Sequence, residues 1–510
     1  MSALKSITAF LAAAAVGASV GVAYSQGVTQ SLKGSGSGQD LPELGSPANA
    51  AISIDDEYHA GLAYVAEIRK SGIILTDPEI SQYAQEIGHS LSSHAEEGQH
   101  QFYYFVIREP DVNAFAIPGG FVAIHSGLIL ATRNENELAG VLAHETAHVT
   151  QRHLVRQLMD QSHEGLLASA AMLAAVLLGA TAGRGSPDAI EGAILAGQSA
   201  MIQHQINYTR SSEFEADRIG IGTMAEAGYD PLGVATFFDY MGRTGPEPSR
   251  INAVQFLIDH PIFSDRVAEA QDRANQIGRI HHEDSLSYLL IRERLRTIAG
   301  DPQQALQYYN NLLKNGGGKT IQERYGKAVA QIGVRNPAAA IPELQALVQE
   351  YPKVTQFYGA LGQAYMANNQ PKESAVVLEQ AMILFPRNTA ITIRLAETLM
   401  HSGDNKRAHV VLLDLFNNVE PTPDQTRLIA KAASTAGDFA DSYSYMAEFY
   451  LMTGNLQMAI NQLQLALTLP GLDAVQRARY SARLEEVRGW LPKKNRDTVA
   501  DDRTGNTGHY

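Results

Sequence analysis

Apolar positions along the chain change their rhythm twice. Between about 51 and 280, a strand-like patch interrupts helical spacing. Phe102–Ile107 (FYYFVI) and Phe121–His125 (FVAIH) are short β-branched and aromatic runs, separated by Pro118-Gly119-Gly120. They predict neighbouring strands, with Pro118 at a sheet edge because proline cannot donate to a ladder. On either side, Glu137–Gln157 and Ser212–Ala227 carry apolar residues at helical spacing, the second opened by Ser211 or Ser212 as cap. The stretch reads as α+β.

From 281 to 491 the rhythm becomes a repeat of helix pairs. Pro302, Pro337, Pro371 and Asn405 open equivalent helices at spacings of 35, 34 and 34, and Pro352, Pro386 and Pro421 close them at 34 and 35. Within one unit, Gly362, Ser374 and Ala381 put small residues where two helices touch, while Tyr358, Leu361, Tyr365 and Leu378 fill the gap. The next unit repeats Leu395, Ala396, Leu399, Ala408 and Leu412 in the same slots. These are tetratricopeptide positions, and such units stack into a solenoid. After Gly437 the register slips by half a repeat, since Gly454-Asn455 follows Gly437-Asp438 by 17, which predicts an irregular, tightly wound end.

Composition narrows the function classes. A chain of 510 residues with 45% apolar and 18% charged residues is neither a disordered polyelectrolyte nor a single core. The net charge of −14, with no basic run longer than Lys493-Lys494, argues against nucleic acid as a partner, because phosphate contacts need clustered cations. With no cysteine, thiolate catalysis, disulfides and cysteine-held zinc are excluded.

The ends carry addresses. Lys5, an uncharged Ala-rich stretch and Ala23-Tyr24-Ser25 make 1–25 a secretory signal peptide that is cleaved, and the simplest destination is a bacterial periplasm. An uncleaved anchor helix is the alternative. Residues 26–50, with Gly-Ser alternation at 34–38, read as a flexible leader, and 492–510 as a disordered tail.

The sharpest chemical signal is His144-Glu145-Thr146-Ala147-His148. Residues i and i+4 share a helix face, so both imidazoles can reach one ion, while Glu145 sits beside that face and can take a proton from a bound water. The bland reading is two surface histidines on a long helix. A second acidic motif weighs against it: Glu213 and Asp217 are four apart, so Glu213 can complete a His₂Glu set while Asp217 accepts the outer N–H of a ligating imidazole. Glu215 points elsewhere and is the less favoured ligand. Taken alone, this stretch also reads as a solvated acidic first turn. No ligand role falls to His125, His163, His204 or His153, the last standing five residues beyond His148, a poor same-face spacing on a continuous helix.

HETAH followed by Glu-x-x-x-Asp resembles the M48 family of zinc metallopeptidases, and Asn113–Gly120 (NAFAIPGG) resembles that family's edge-strand segment. The resemblance covers roughly 50–490. It implies a mainly α protein, an α+β zincin-like metallopeptidase domain at 51–280 followed by an α-solenoid of tetratricopeptide repeats at 281–491. It also implies one Zn²⁺ per chain on His144, His148 and Glu213, with Glu145 as general base. Asp259-His260-Pro261 resembles a segment whose histidine can occupy the metal's open position and hold the enzyme latent. His260 or Arg266 is alternatively a donor to the transition-state oxyanion. Asn113, Ala114, Phe115 and Ala116 would hold substrate as an added strand, a mode largely independent of side-chain sequence.

Gly165–Gly183 is nineteen residues without a charge. A single crossing there would separate His148 from Glu213, so the run reads as a lid or as a hairpin with peripheral membrane contact. The resemblance further implies protein substrates among outer-membrane barrel proteins or their assembly machinery. A chaperone-like adaptor with rare or latent proteolysis is the rival reading.

Overall fold

The computed structural model describes residues 52–95, 101–160, 210–242, 254–262 and 264–490. The expected signal peptide, leader, apolar run and tail lie outside the described residues.

The chain enters through two capped helices. Ser53 accepts from Asp56 N–H to start α1 (Ile54–Lys70), and Asp77 accepts from Ile80 N–H to start α2 (Pro78–Ser92), whose proline sits where no helical donor is needed. Three short strands follow, β1 (Tyr103–Ile107), β2 (Ala114–Ile117) and β3 (Phe121–His125), in the order β1-β3-β2. β1 lies parallel to β3 with Tyr103 opposite Phe121, and β2 lies antiparallel to it with Ala116 opposite Val122. The two runs expected to be neighbours are indeed paired, and Pro118 follows the edge strand.

Alternation along the strands builds two cores. Tyr104, Val106, Val122 and Ile124 join the main cluster with α2, while Phe121 and Ala123 face Leu62 and Val65 of α1. The β2–β3 turn needs glycine at 119: its φ is +80°, and a Cβ there would stand 2.4 Å from Tyr58 Cα.

Next come α3 (Ser126–Ala131), α4 (Glu135–Thr150), α5 (His153–Asp160), α6 (Arg210–Glu226), α7 (Leu232–Gly242), α8 (Val254–Asp259) and α9 (Ser264–Ile277). Two expectations need correction. The single helix expected over Glu137–Gln157 is broken at 151–152, where Arg152 takes a φ of +51°. Arg152 is held there by Glu57 (2.8 Å) and by the carbonyl of Ile52 (2.6 Å). Ser211 and Ser212 do not cap α6, because the helix already runs from Arg210 and puts both in its first turn.

The repeat region is all helical: α10 (Leu286–Ile298), α11 (Pro302–Lys314), α12 (Ile321–Gly333), α13 (Pro337–Glu350), α14 (Thr355–Ala367), α15 (Pro371–Leu384), α16 (Thr389–His401), α17 (Asn405–Phe416), α18 (Pro423–Ala436), α19 (Phe439–Met452), α20 (Leu456–Thr468) and α21 (Ala474–Gly489). Four helices begin at the residues that the period selects. Gly362 shows why small residues recur, since a Cβ there would meet Leu378 at 2.9 Å. Gly437, at φ +91°, ends α18 where the register slips.

The array turns back on the α+β part. Arg294 of α10 and Arg394 of α16 reach Asp77 and Glu79 at the start of α2, and Arg69 of α1 pairs with Asp424 of α18. A cleft of about 1410 Å³ lies between α1, α2 and β1 on one side and the helices from α16 onward on the other. Among the described residues, no helix is long and apolar enough to cross a membrane.

Candidate active site

Helix α4 is buried almost throughout, and α6 crosses it closely because Gly220 meets the backbone at His144: an added Cβ would lie 2.9 Å from His144 N. That approach brings the HETAH face against Glu213 and Asp217. Tyr104 fixes the helix from the other side through Thr146 (2.8 Å).

Four buried side chains converge: His144, His148, Glu213 and His260. Nε2 of His144 is 2.9 Å from Nε2 of His148 and 3.3 Å from Nδ1 of His260. Glu213 Oε2 lies 3.5 Å from His144 Nε2 and 3.4 Å from His260 Nδ1, and its Oε1 lies 3.5 Å from His148 Nε2. A tetrahedral ion with bonds of ~2.0–2.1 Å requires donor separations of roughly 3.3 Å. The donor set therefore fits such an ion in spacing and chemistry, with basic atoms facing one another around a common point.

Electrostatics agree. Burial disfavours charge on His144, yet hydrogen bonds with Asp217 and Glu213 outweigh it and push its pKa up to about 10. The pocket thus attracts positive charge. Burial, reinforced by His144, holds His148 well below the usual imidazole range, in the neutral form a ligand needs. Glu213 is held well below the usual carboxylate range, its burial overcome by His260 and His144.

Around this centre, Asp217 Oδ1 is 2.9 Å from His144 Nδ1, so Nδ1 carries the proton and Nε2 faces inward. Arg266, fully buried, spans Asp217 (Nε 2.7 Å, Nη2 2.8 Å), Glu213 (Nη1 2.7 Å) and the carbonyl of Pro261 (2.9 Å). Each of its nitrogens already has an acceptor.

Glu145 sits beside the cluster with no exposed surface. Its Oε2 accepts from Ala116 N–H of β2 at 2.9 Å, and its Oε1 is 3.3 Å from His260 Nε2. Burial raises its pKa, against the pull of His260 and His144. The edge strand is tied in at its start as well: Asn113 donates to Asp259 (2.9 Å) and accepts from Ala114 N–H (3.0 Å). Phe115 packs edge-on against His125.

Two neighbours escaped the sequence reading. Nδ1 of His153 lies 2.7 Å from Nδ1 of His148, and its Nε2 lies 3.2 Å from Glu215. The only local hint was a further histidine close behind HETAH. The helix break that carries it there has no local signature.

An α+β unit that sets HExxH against a glutamate on a second helix, with tetratricopeptide helices behind it, defines the class as a zincin-like metallopeptidase. Residues 78–274 match peptidase family M48, and 366–432 match a tetratricopeptide repeat. The chain is 33% identical over 458 residues to a putative beta-barrel assembly-enhancing protease of Vibrio cholerae, covering 88% of this chain and 92% of that one. It is 30% identical to the beta-barrel assembly-enhancing protease of Escherichia coli, with 89% and 92% covered. A mitochondrial metalloendopeptidase of Schizosaccharomyces pombe is 32% identical over 171 residues, 33% of this chain and 45% of that one. The chain belongs to peptidase family M48, in the group that joins the peptidase to tetratricopeptide repeats.

Proposed function

We propose a zinc-dependent endopeptidase of periplasmic protein quality control that acts on misassembled outer-membrane proteins brought to it by the repeats. The observation that carries the metal chemistry is the convergence of His144, His148 and Glu213 at tetrahedral spacing. When bound, the zinc supplies Lewis acidity, polarising the scissile carbonyl and acidifying a water toward a pKa of ~7. Glu145 takes the proton from the water and delivers it to the leaving amine. Asp217 keeps the proton on His144 Nδ1, and Arg266 holds Asp217 and Glu213 in place. With its nitrogens so committed, Arg266 is a positioning residue in this reading rather than a donor to the oxyanion. His260 stands beside the ligand set at the fourth corner, and in this reading it closes the site rather than serving as that donor.

Support for barrel-protein substrates, for contact with their assembly machinery and for a periplasmic address comes from the names of the relatives and from the signal-peptide pattern at 1–25. Substrate joins β2 along Asn113, Ala114, Phe115 and Ala116. In the resting arrangement, Ala116 N–H is engaged by Glu145 and His260 fills the fourth corner, so base and edge strand are both occupied. This favours a second reading, a latent peptidase that serves mainly as an assembly adaptor.

Casein cleavage by the purified full-length chain, with and without chelator, separates the readings. Glu145→Gln should lower cleavage ~10²–10⁴-fold with metal retained; undiminished cleavage refutes the role of Glu145. His260→Ala should raise cleavage or self-cleavage, and no gain over wild type removes latency. Barrel assembly that survives Glu145→Gln in cells replaces the protease reading by the adaptor.

A further inference from the structure

The geometry points to His153 and Glu215 as positioning residues that fix the ring and tautomer of His148 through a chain of hydrogen bonds. The inference rests on the reading of His148 as a metal ligand.

His148 and His153 are both almost completely buried, and their rings meet at 4.8 Å between centroids with an interplanar angle of 73°. Their Nδ1 atoms are 2.7 Å apart, which requires one proton between them. A neutral ligand presents a bare nitrogen to the metal, and His148 turns Nε2 toward the cluster. Nδ1 of His148 must then carry the proton and donate it. His153 accepts at Nδ1, so its own proton sits on Nε2, aimed at Glu215 Oε2 at 3.2 Å. Arg156 closes the chain, donating to the same oxygen at 3.0 Å. With both rings neutral and Glu215 ionised, one assignment of protons satisfies every link, and it leaves Nε2 of His148 bare.

The backbone is shaped for this contact. On an unbroken helix, a residue five positions on would point away from His148. The left-handed turn at Arg152 lets α5 start afresh and swing His153 under the ligand. The ion pair from Arg152 to Glu57 anchors that turn to α1.

The two histidine ligands are thus supported differently. His144 meets a carboxylate directly at Asp217, whereas His148 meets one through an intervening imidazole. Partners of this kind orient the ligand and raise its basicity, and their loss weakens metal binding ~10–100-fold.

The test uses full-length protein stripped with chelator and titrated with zinc, read as zinc affinity in a chelator competition and as the Tm of the metal-free protein. His153→Leu removes the acceptor. It should lower zinc affinity ~10–100-fold. His153→Gln keeps an acceptor and a donor at similar reach and should restore affinity to within about threefold of wild type, on the same logic. Glu215→Ala, at the more exposed end, should lower affinity by less than His153→Leu and leave the metal-free Tm unchanged; it decides the matter if His153→Leu does not fold. Wild-type affinity in His153→Leu overturns the relay. So do equal losses of affinity and metal-free Tm in the Leu and Gln variants, which mark His153 as packing alone. Wild-type protein that takes up no zinc overturns the metal reading itself.

Discussion

Two of the buried charge clusters among the described residues are built on opposite plans. At the seam between the α+β part and the repeats, two carboxylates face two guanidiniums. Arg294 grips Asp77 at 2.7 and 2.6 Å, and Arg394 grips Glu79 at 2.9 and 2.6 Å while reaching Asp77 at 3.0 Å. Tyr325 and Gln363 take further donors of Arg294. That cluster is complete in itself. At the active site, imidazole nitrogens face one another at 2.9 and 3.3 Å around a common point, which suits a shared cation, while Arg266 pairs Glu213 and Asp217 from behind. Carboxylates closed off by guanidiniums fasten the fold together, whereas donor atoms converging on one point mark the place where a cation belongs.

The comparison can be broken at the seam. Arg294→Met leaves part of the Asp77 and Glu79 charge buried without its partner, and should cost about 3–5 kcal/mol in denaturant unfolding of the metal-free protein. Zinc affinity should stay at the wild-type level, since the two clusters share no residue. A variant that loses metal in proportion to stability would show that they are not separate.

Acid sharpens the contrast with a smaller effect. The guanidiniums of Arg294 and Arg394 overcome burial and hold Asp77 well below the usual carboxylate range. The unfolded chain therefore takes up the proton first, so this stabilisation is present above pH ~4 and lost as pH falls below it. The stability gap between wild type and Arg294→Met should narrow below that pH, as read by unfolding at stepped pH. A gap independent of pH would remove Asp77 from the account.

The difference between the clusters also explains what the sequence could disclose. HETAH was legible because its two histidines and its glutamate share one helical turn, and the repeats were legible because proline and small residues recur at the period. Glu213 and Asp217 came from the same i, i+4 logic. The seam was not legible: Asp77 and Arg294 are 217 residues apart, and Glu79 and Arg394 are 315 apart. Nor was the break after Thr150, because the unusual backbone of Arg152 is imposed by Glu57 and Ile52, about a hundred residues earlier. That break is also why a same-face spacing rule could not bring His153 beside His148. Arg266 was singled out, but only the fold shows that Asp217 and Glu213 already occupy it.

The central claim is that His144, His148 and Glu213 surround one divalent cation. Elemental analysis of chelator-stripped protein reconstituted with zinc tests it most directly. Wild type should take up about one equivalent per chain, as a single convergent donor set requires, and Glu213→Gln should hold far less under the same wash. Substoichiometric loading of wild type after reconstitution, or undiminished loading of Glu213→Gln, would contradict it.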